Sequence, residues 1–205
     1  MADAPARAAA EFLVRLERDP VKPAEIAALL DGLAPEERVA AIRAAGRPQQ
    51  RRLYRAVEGH GGLRLADLVP PQRRALETVR HFGRNTLPAF THFEKRFCRP
   101  EGQDAAAPSE LWGYNFQSTS LFTGPGYYVA CEDAAHGEVL IDYTKLPPHA
   151  PPGWPAVKSN ERGLSRLIYA FMVDRLRRVS EHVTIGSAIK NGREIGSWFL
   201  LCREP

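Results

Sequence analysis

In "VLIDYT", Asp142 ends an otherwise apolar run and Tyr143 follows directly. A carboxyl group in an apolar recess is pushed towards neutral pH by desolvation and can then give or take a proton. Asp142 with a tyrosine or with His182 is the acid–base pair that the sequence offers; the plainer alternative is a strand-end aspartate engaged in a turn. Around it, "GYNFQSTSLFTGPGYYVACED" (113–133) supplies Tyr114, Asn115, Gln117 and Tyr127. Aromatic bodies with polar tips suit the rim of a mainly apolar pocket. Trp154 sits in the proline-dense "KLPPHAPPGWPAVKSN", a stiff path that either wraps the surface or closes over a ligand. Gly186, Ser197 and Trp198 complete the ligand-binding candidates, from the C-terminal "HVTIGSAIKNGREIGSWFLLC".

Other chemistries lack their residues. "TGPGYY" is not a phosphate loop: Val129 stands where G-x-G-x-x-G needs its last glycine, and a strand follows where a helix N-terminus is required. There is no G-x-S-x-G elbow and no HExxH. The three cysteines, Cys98, Cys131 and Cys202, are odd in number and far apart, which fits reduced thiols better than a disulfide or zinc framework. The expectation is no metal and no cofactor.

These residues need a scaffold. Residues 1–60 carry short segments with proline in front and glycine behind, as in "PAEIAALLDGL" and "PEERVAAIRAAG", the grammar of short helices. "GHGG" follows as a hinge. The spacing predicts further helices over "PPQRRALETVRHFG" and "NTLPAFTHFEKRFC", the latter with Phe90, Phe93 and Phe97 on one side, and over "SNERGLSRLIYAFMVDRLRRVSEH". Strands are expected at "LWGYNFQ", "GYYVAC" and "GEVLIDYT". Asn191-Gly192 has type I′ turn chemistry and implies a last hairpin with Thr184 opposite Phe199, Gly186 opposite Ser197 and Ile185 opposite Trp198.

The order implies an α+β fold: an antiparallel sheet of about five strands covered by helices, preceded by a small helical module. The units are residues 1–60 (helical module), 61–69 (linker) and 70–205 (α+β domain). The 205 residues carry a net charge of only +4, spread along the chain rather than gathered on a face, which argues against nucleic acid. No apolar run is long enough to span a membrane as a helix, and the acid-bearing N-terminus is a poor secretory signal, so a cytoplasmic location without membrane contact is expected. The leading expectation is a non-catalytic domain that binds a small apolar or aromatic ligand. The alternatives are an acid–base enzyme (lyase-, isomerase- or hydrolase-like) using Asp142, and an interaction module whose N-terminal helices meet a second copy or another protein.

Overall fold

The computed structural model of the chain describes residues 3–116, 126–157 and 172–205. Four helices come first: α1 (Ala4–Glu17), α2 (Pro23–Asp31), α3 (Pro35–Ala44) and α4 (Arg47–Ala56). Asp3 caps α1 by accepting from the Ala6 amide at 2.9 Å, and prolines in the first turns of α2, α3 and α4 remove amide donors that would have no partner there. A one-turn helix, α5 (Leu65–Leu68), precedes eight strands. These are β1 (Val79–Asn85), β2 (His92–Cys98), β3 (Leu111–Phe116), β4 (Tyr127–Asp133), β5 (Glu138–Asp142), β6 (Met172–Arg178), β7 (Val183–Lys190) and β8 (Arg193–Arg203). Each pairs antiparallel with the next and β8 returns to β1, closing an up-and-down barrel.

The expected α+β sheet of about five strands under helices is therefore corrected to a closed eight-stranded barrel. "HFEKRFC" is β2, not a helix: Phe93, Lys95 and Phe97 point inward and His92, Glu94 and Arg96 outward. Alternation was present, but the inward residue at its centre is a lysine, so the apolar positions alone mimic helical spacing. "VRHFGRN" is β1 for the same reason, with His81, Gly83 and Asn85 inside and Phe82 outside. "MVDRLRR" is β6, with Asp174 inward between Met172 and Leu176. The expected cap and first half of that helix, 159–171, lie outside the described residues.

Three glycines make room inside the barrel. A Cβ at Gly113 would stand 2.2 Å from the Tyr128 ring, one at Gly186 2.3 Å from Phe199, and one at Gly83 2.7 Å from Phe93. Each ring fills the space above a glycine on a paired strand. At the hairpin, Asn191 and Gly192 have φ of 51° and 73°, as a type I′ turn requires. Lys190 faces Arg193 and Ile189 faces Glu194, but two steps from Ile189 to Ser187 match four from Glu194 to Trp198. This bulge corrects the expected register: Gly186 faces Phe199 rather than Ser197, and Thr184 faces Leu201.

The barrel has two distinct ends. At the lower end Leu63, Leu65, Leu68 and Val69 join Val79, Phe97, Leu111, Val139 and Leu176 in one apolar cluster, so α5 plugs it. At the upper end lie the β1–β2 and β7–β8 connections, with the last residues of β3 and β5 and the first of β4 and β6. Helices α1 to α4 cover the outer wall, where Phe12, Leu16, Ile42 and Leu53 share a cluster with Val183, Ile185, Trp198 and Leu200.

Gly186→Ala should cost about 1–3 kcal/mol, the usual penalty for overpacking, because the buried Phe199 has no room to retreat. Adding Phe199→Leu should recover part of that loss in urea denaturation. An unchanged midpoint for Gly186→Ala alone would contradict the close packing of this pair.

Candidate functional site

The interior is not uniformly apolar. Lys95 of β2 lies among Phe93, Phe97, Tyr128 and Phe199 and is 2 % exposed. Its ammonium makes an ion pair with Asp174 of β6 at 3.0 Å and donates to Asn115 Oδ1 of β3 at 3.0 Å and to the Tyr143 hydroxyl, just past β5. Tyr143 also accepts from Asn115 Nδ2 and donates to Asp174 Oδ2, both at 3.0 Å. Three strands and the residue that follows β5 converge on this cluster because alternate residues of a strand share a face, and these four positions have inward parity.

Rings surround the charge. The Lys95 nitrogen stands 4.9 Å from the ring centre of Tyr128, 5.0 Å from those of Tyr143 and Phe199, and 6.0 Å from that of Phe93. Burial lowers its pKa below the ordinary lysine value, and Asp174 offsets only part of that effect. The three N–H groups of the ammonium are all engaged, and the pair is neutral overall.

One strand away, His81 is buried against Phe97 at 4.9 Å between ring centres. Its Nε2 lies 2.9 Å from the Leu68 carbonyl, which can only accept, so Nε2 carries the proton. Burial lowers its pKa to about 3, the hydrogen bond to Leu68 opposing that shift. The ring is a neutral strut between the barrel and the α5 plug.

The sequence candidates fall in three places. Asn115 belongs to the Lys95 cluster, and Gly186 faces the interior beneath Phe199. Tyr114, Tyr127 and Trp154 come together on the outer wall, with Trp154 4.7 Å from Tyr114 and 6.1 Å from Tyr127. There Trp154 donates to Thr78 Oγ1 at 2.7 Å, and Tyr127 donates to the Pro155 carbonyl, so the proline loop is pinned to the barrel's flank. Trp198 packs under Arg47 of α4, and Ser197 precedes it in β8, within the bulged stretch. Gln117 lies outside the described residues.

Asp142 and His182 are at opposite ends of the barrel. The Asp142 carboxylate accepts from the Thr144 amide at 2.9 Å and hydroxyl at 2.6 Å, a turn contact at the upper end. His182 is in the β6–β7 turn at the lower end, 3.2 Å from an Arg203 nitrogen. Cys98 is buried beside Trp112 and Val129, which pushes its thiol up to about 12, and Cys202 reaches about 11 for the same reason; neither is a thiolate at neutral pH. Among the described residues no group of His, Cys, Asp or Glu is arranged to hold a metal ion.

Sequence reasoning missed Lys95, Asp174 and His81. The signal was present as strand alternation in Phe93-x-Lys95-x-Phe97 and Met172-x-Asp174-x-Leu176, once a charged residue is allowed on the inward face. Fold and site together define a closed up-and-down barrel with a polar cluster at mid-height. Comparison with known protein families, with curated proteins and with solved structures finds nothing that matches the chain, so its function must be argued from this geometry.

His81 gives the stability a pH dependence. An unfolded histidine titrates near 6.5, the folded one near 3, so between these values the unfolded chain binds a proton that the folded chain refuses. Stability should therefore fall as pH falls through that window, by up to about 1.4 kcal/mol per pH unit from this group. In His81→Gln, which can still donate to Leu68, denaturation between pH 6 and pH 4 should show a shallower slope. Equal slopes would show that His81 is not held neutral.

Proposed function

We propose that the protein is a non-catalytic β-barrel binder of a small, mainly apolar ligand with one neutral polar group, received at the upper end of the barrel. The carrying observation is the desolvated Lys95–Asp174 pair, with Tyr143 and Asn115, inside a box of aromatic rings. Hydrocarbon would fill a purely structural barrel as well, since removing two charges from water costs several kcal/mol that their attraction repays only in good geometry. An eight-stranded barrel has an interior just wide enough for side chains or for one small ligand.

The upper end supports this reading. Interior side chains there retain slight exposure, Phe93 at 8 % and Met172 at 9 %, whereas Val79, Phe97 and Leu111 near the plug have none. Leu87 and Phe90 on the β1–β2 connection and Ile195 in the first residues of β8 are large and exposed at the same end. Because the pair is already neutral and the ammonium's hydrogen bonds are filled, the cluster favours a neutral hydroxyl head, which can donate as well as accept, over a carboxylate. The acid–base alternative gains less: Asp142 and His182 are apart, and Lys95, Tyr143 and Asp174 saturate one another. The interaction alternative gains little from α1 to α4, where Val14 is the only large apolar side chain exposed.

Native mass spectrometry of the intact protein, followed by titration with 1-octanol and octanoate, tests this. Octanol should bind better than octanoate. Phe93→Ala should weaken octanol by roughly thirtyfold, the equivalent of about 2 kcal/mol of apolar contact. Trp154→Ala, on the outer wall, should leave it unchanged. A preference for octanoate, or an octanol affinity insensitive to Phe93→Ala, would overturn the reading.

A further inference from the structure

Four of the six large apolar side chains exposed among the described residues stand at the upper end of the barrel: Leu87 and Phe90 between β1 and β2, Phe116 at the end of β3 and Ile195 in β8. The β1–β2 loop is built to hold its two outward. Asn85, itself buried, accepts from the Leu87 amide at 3.0 Å and donates to the Phe90 carbonyl at 3.2 Å. Phe90 has a φ of 54°, a left-handed conformation that a bulky residue seldom adopts. Its ring is nevertheless 65 % exposed, so the strain does not serve to bury it. The Thr86 amide donates to the Trp198 carbonyl and the Thr86 hydroxyl accepts from the Trp198 amide, both at 3.0 Å. These bonds fix the loop against the bulged part of β8 that carries Ile195.

Charge divides along the barrel axis. With histidine neutral, the upper segments 84–92 and 190–195 hold three cations, Arg84, Lys190 and Arg193, against one acid, Glu194, a net +2. The lower segments 132–138 and 178–182 hold one cation, Arg178, against four acids, Glu132, Asp133, Glu138 and Glu181, a net −3. Arg47 of α4 adds to the positive end, since its guanidinium stands beside Gly196 and over the Trp198 ring. Separate apolar tips in a positive field match a surface that is deformable and negatively charged, as a lipid bilayer is. No helix among the described residues is long and apolar enough to cross a membrane, and contact through loop tips needs none.

We infer that the upper end of the barrel docks on a lipid bilayer with anionic headgroups, Leu87, Phe90 and Ile195 entering the boundary between headgroups and acyl chains. Phe116, with the Arg96 guanidinium 3.8 Å from its ring centre, stands at the edge of this contact. The inference rests on the proposed function only for its purpose: a bilayer dissolves small, mainly apolar molecules, and docking brings the receiving end of the barrel against that source. The contact itself needs no ligand.

Co-sedimentation of the intact protein with lipid vesicles tests the inference, and because no octanol is present its outcome is separate from that of the octanol titration. Vesicles of equal parts phosphatidylcholine and phosphatidylglycerol should bind the protein, less so as salt rises, and phosphatidylcholine alone should bind it more weakly. Phe90→Asn puts a residue that tolerates the left-handed backbone in place of the ring and should weaken binding by about tenfold or more. Arg193→Glu should weaken binding to the anionic vesicles by roughly tenfold and leave binding to phosphatidylcholine unchanged. Val14→Ser, which removes the exposed apolar side chain of α1, should change neither. If Phe90→Asn does not fold, Leu87→Ser and Arg193→Glu still decide the matter. No binding to anionic vesicles, or binding equal in the parent and in the Leu87→Ser, Phe90→Asn double variant, would overturn the inference. Self-association without vesicles that Phe90→Asn abolishes would also overturn it, by assigning the tips to a second copy of the chain.

Discussion

A lysine ammonium buried in a barrel of eight strands sets the terms for the rest of this structure. Left unpaired in such surroundings, the charge would be lost to deprotonation or would cost several kcal/mol. Asp174 must therefore come within 3.0 Å from β6, and Asn115 and Tyr143 must supply the remaining acceptors from β3 and beyond β5. These contacts also specify register. A slip of one residue in β2 would turn Lys95 to the outside and bring Glu94 or Arg96 inside.

Volume is the second constraint. The rings that enclose the ammonium fit because Gly83, Gly113 and Gly186 leave room where a Cβ would collide. The lower end is sealed by Leu65 and Leu68 of α5, with His81 tying plug to barrel through Leu68. Outside, one wall is covered by α1 to α4 and another by the proline loop through Trp154. Arg177 joins these layers, bonding Glu138 on β5 at 2.7 Å and the Tyr54 carbonyl of α4 at 2.8 Å. Two walls are thus apolar on both faces, which is why β7 and β8 read as long apolar runs.

The sequence was readable where local chemistry decides. Prolines mark the first turns of α2 to α4, Asn191-Gly192 marks the last turn, and "GYYVAC" and "GEVLID" read as strands because their apolar content outweighs everything else. It was not readable where an inward residue is polar. His81, Lys95 and Asp174 each replace the apolar residue that would have completed an alternating pattern, and β1, β2 and β6 were lost for that reason. Barrel closure by β1 and β8 was beyond local reading, since it joins residues near 82 to residues near 202. Of the candidate site, Asn115 and Gly186 reach the interior. Tyr114, Tyr127 and Trp154 do form one aromatic group, but on the outer wall, since a strand's parity sends Tyr127 out and Tyr128 in.

The central claim is that Lys95 and Asp174 form one buried unit, and a double-mutant cycle measures it most directly. Lys95→Met and Asp174→Leu should each destabilise the intact protein by about 3–5 kcal/mol, because each leaves an uncompensated buried charge. The double variant should lose much less than the sum, with a coupling well above the roughly 0.5 kcal/mol seen between independent sites. Additive losses would contradict the account, because they would mean that the two side chains do not meet inside the barrel.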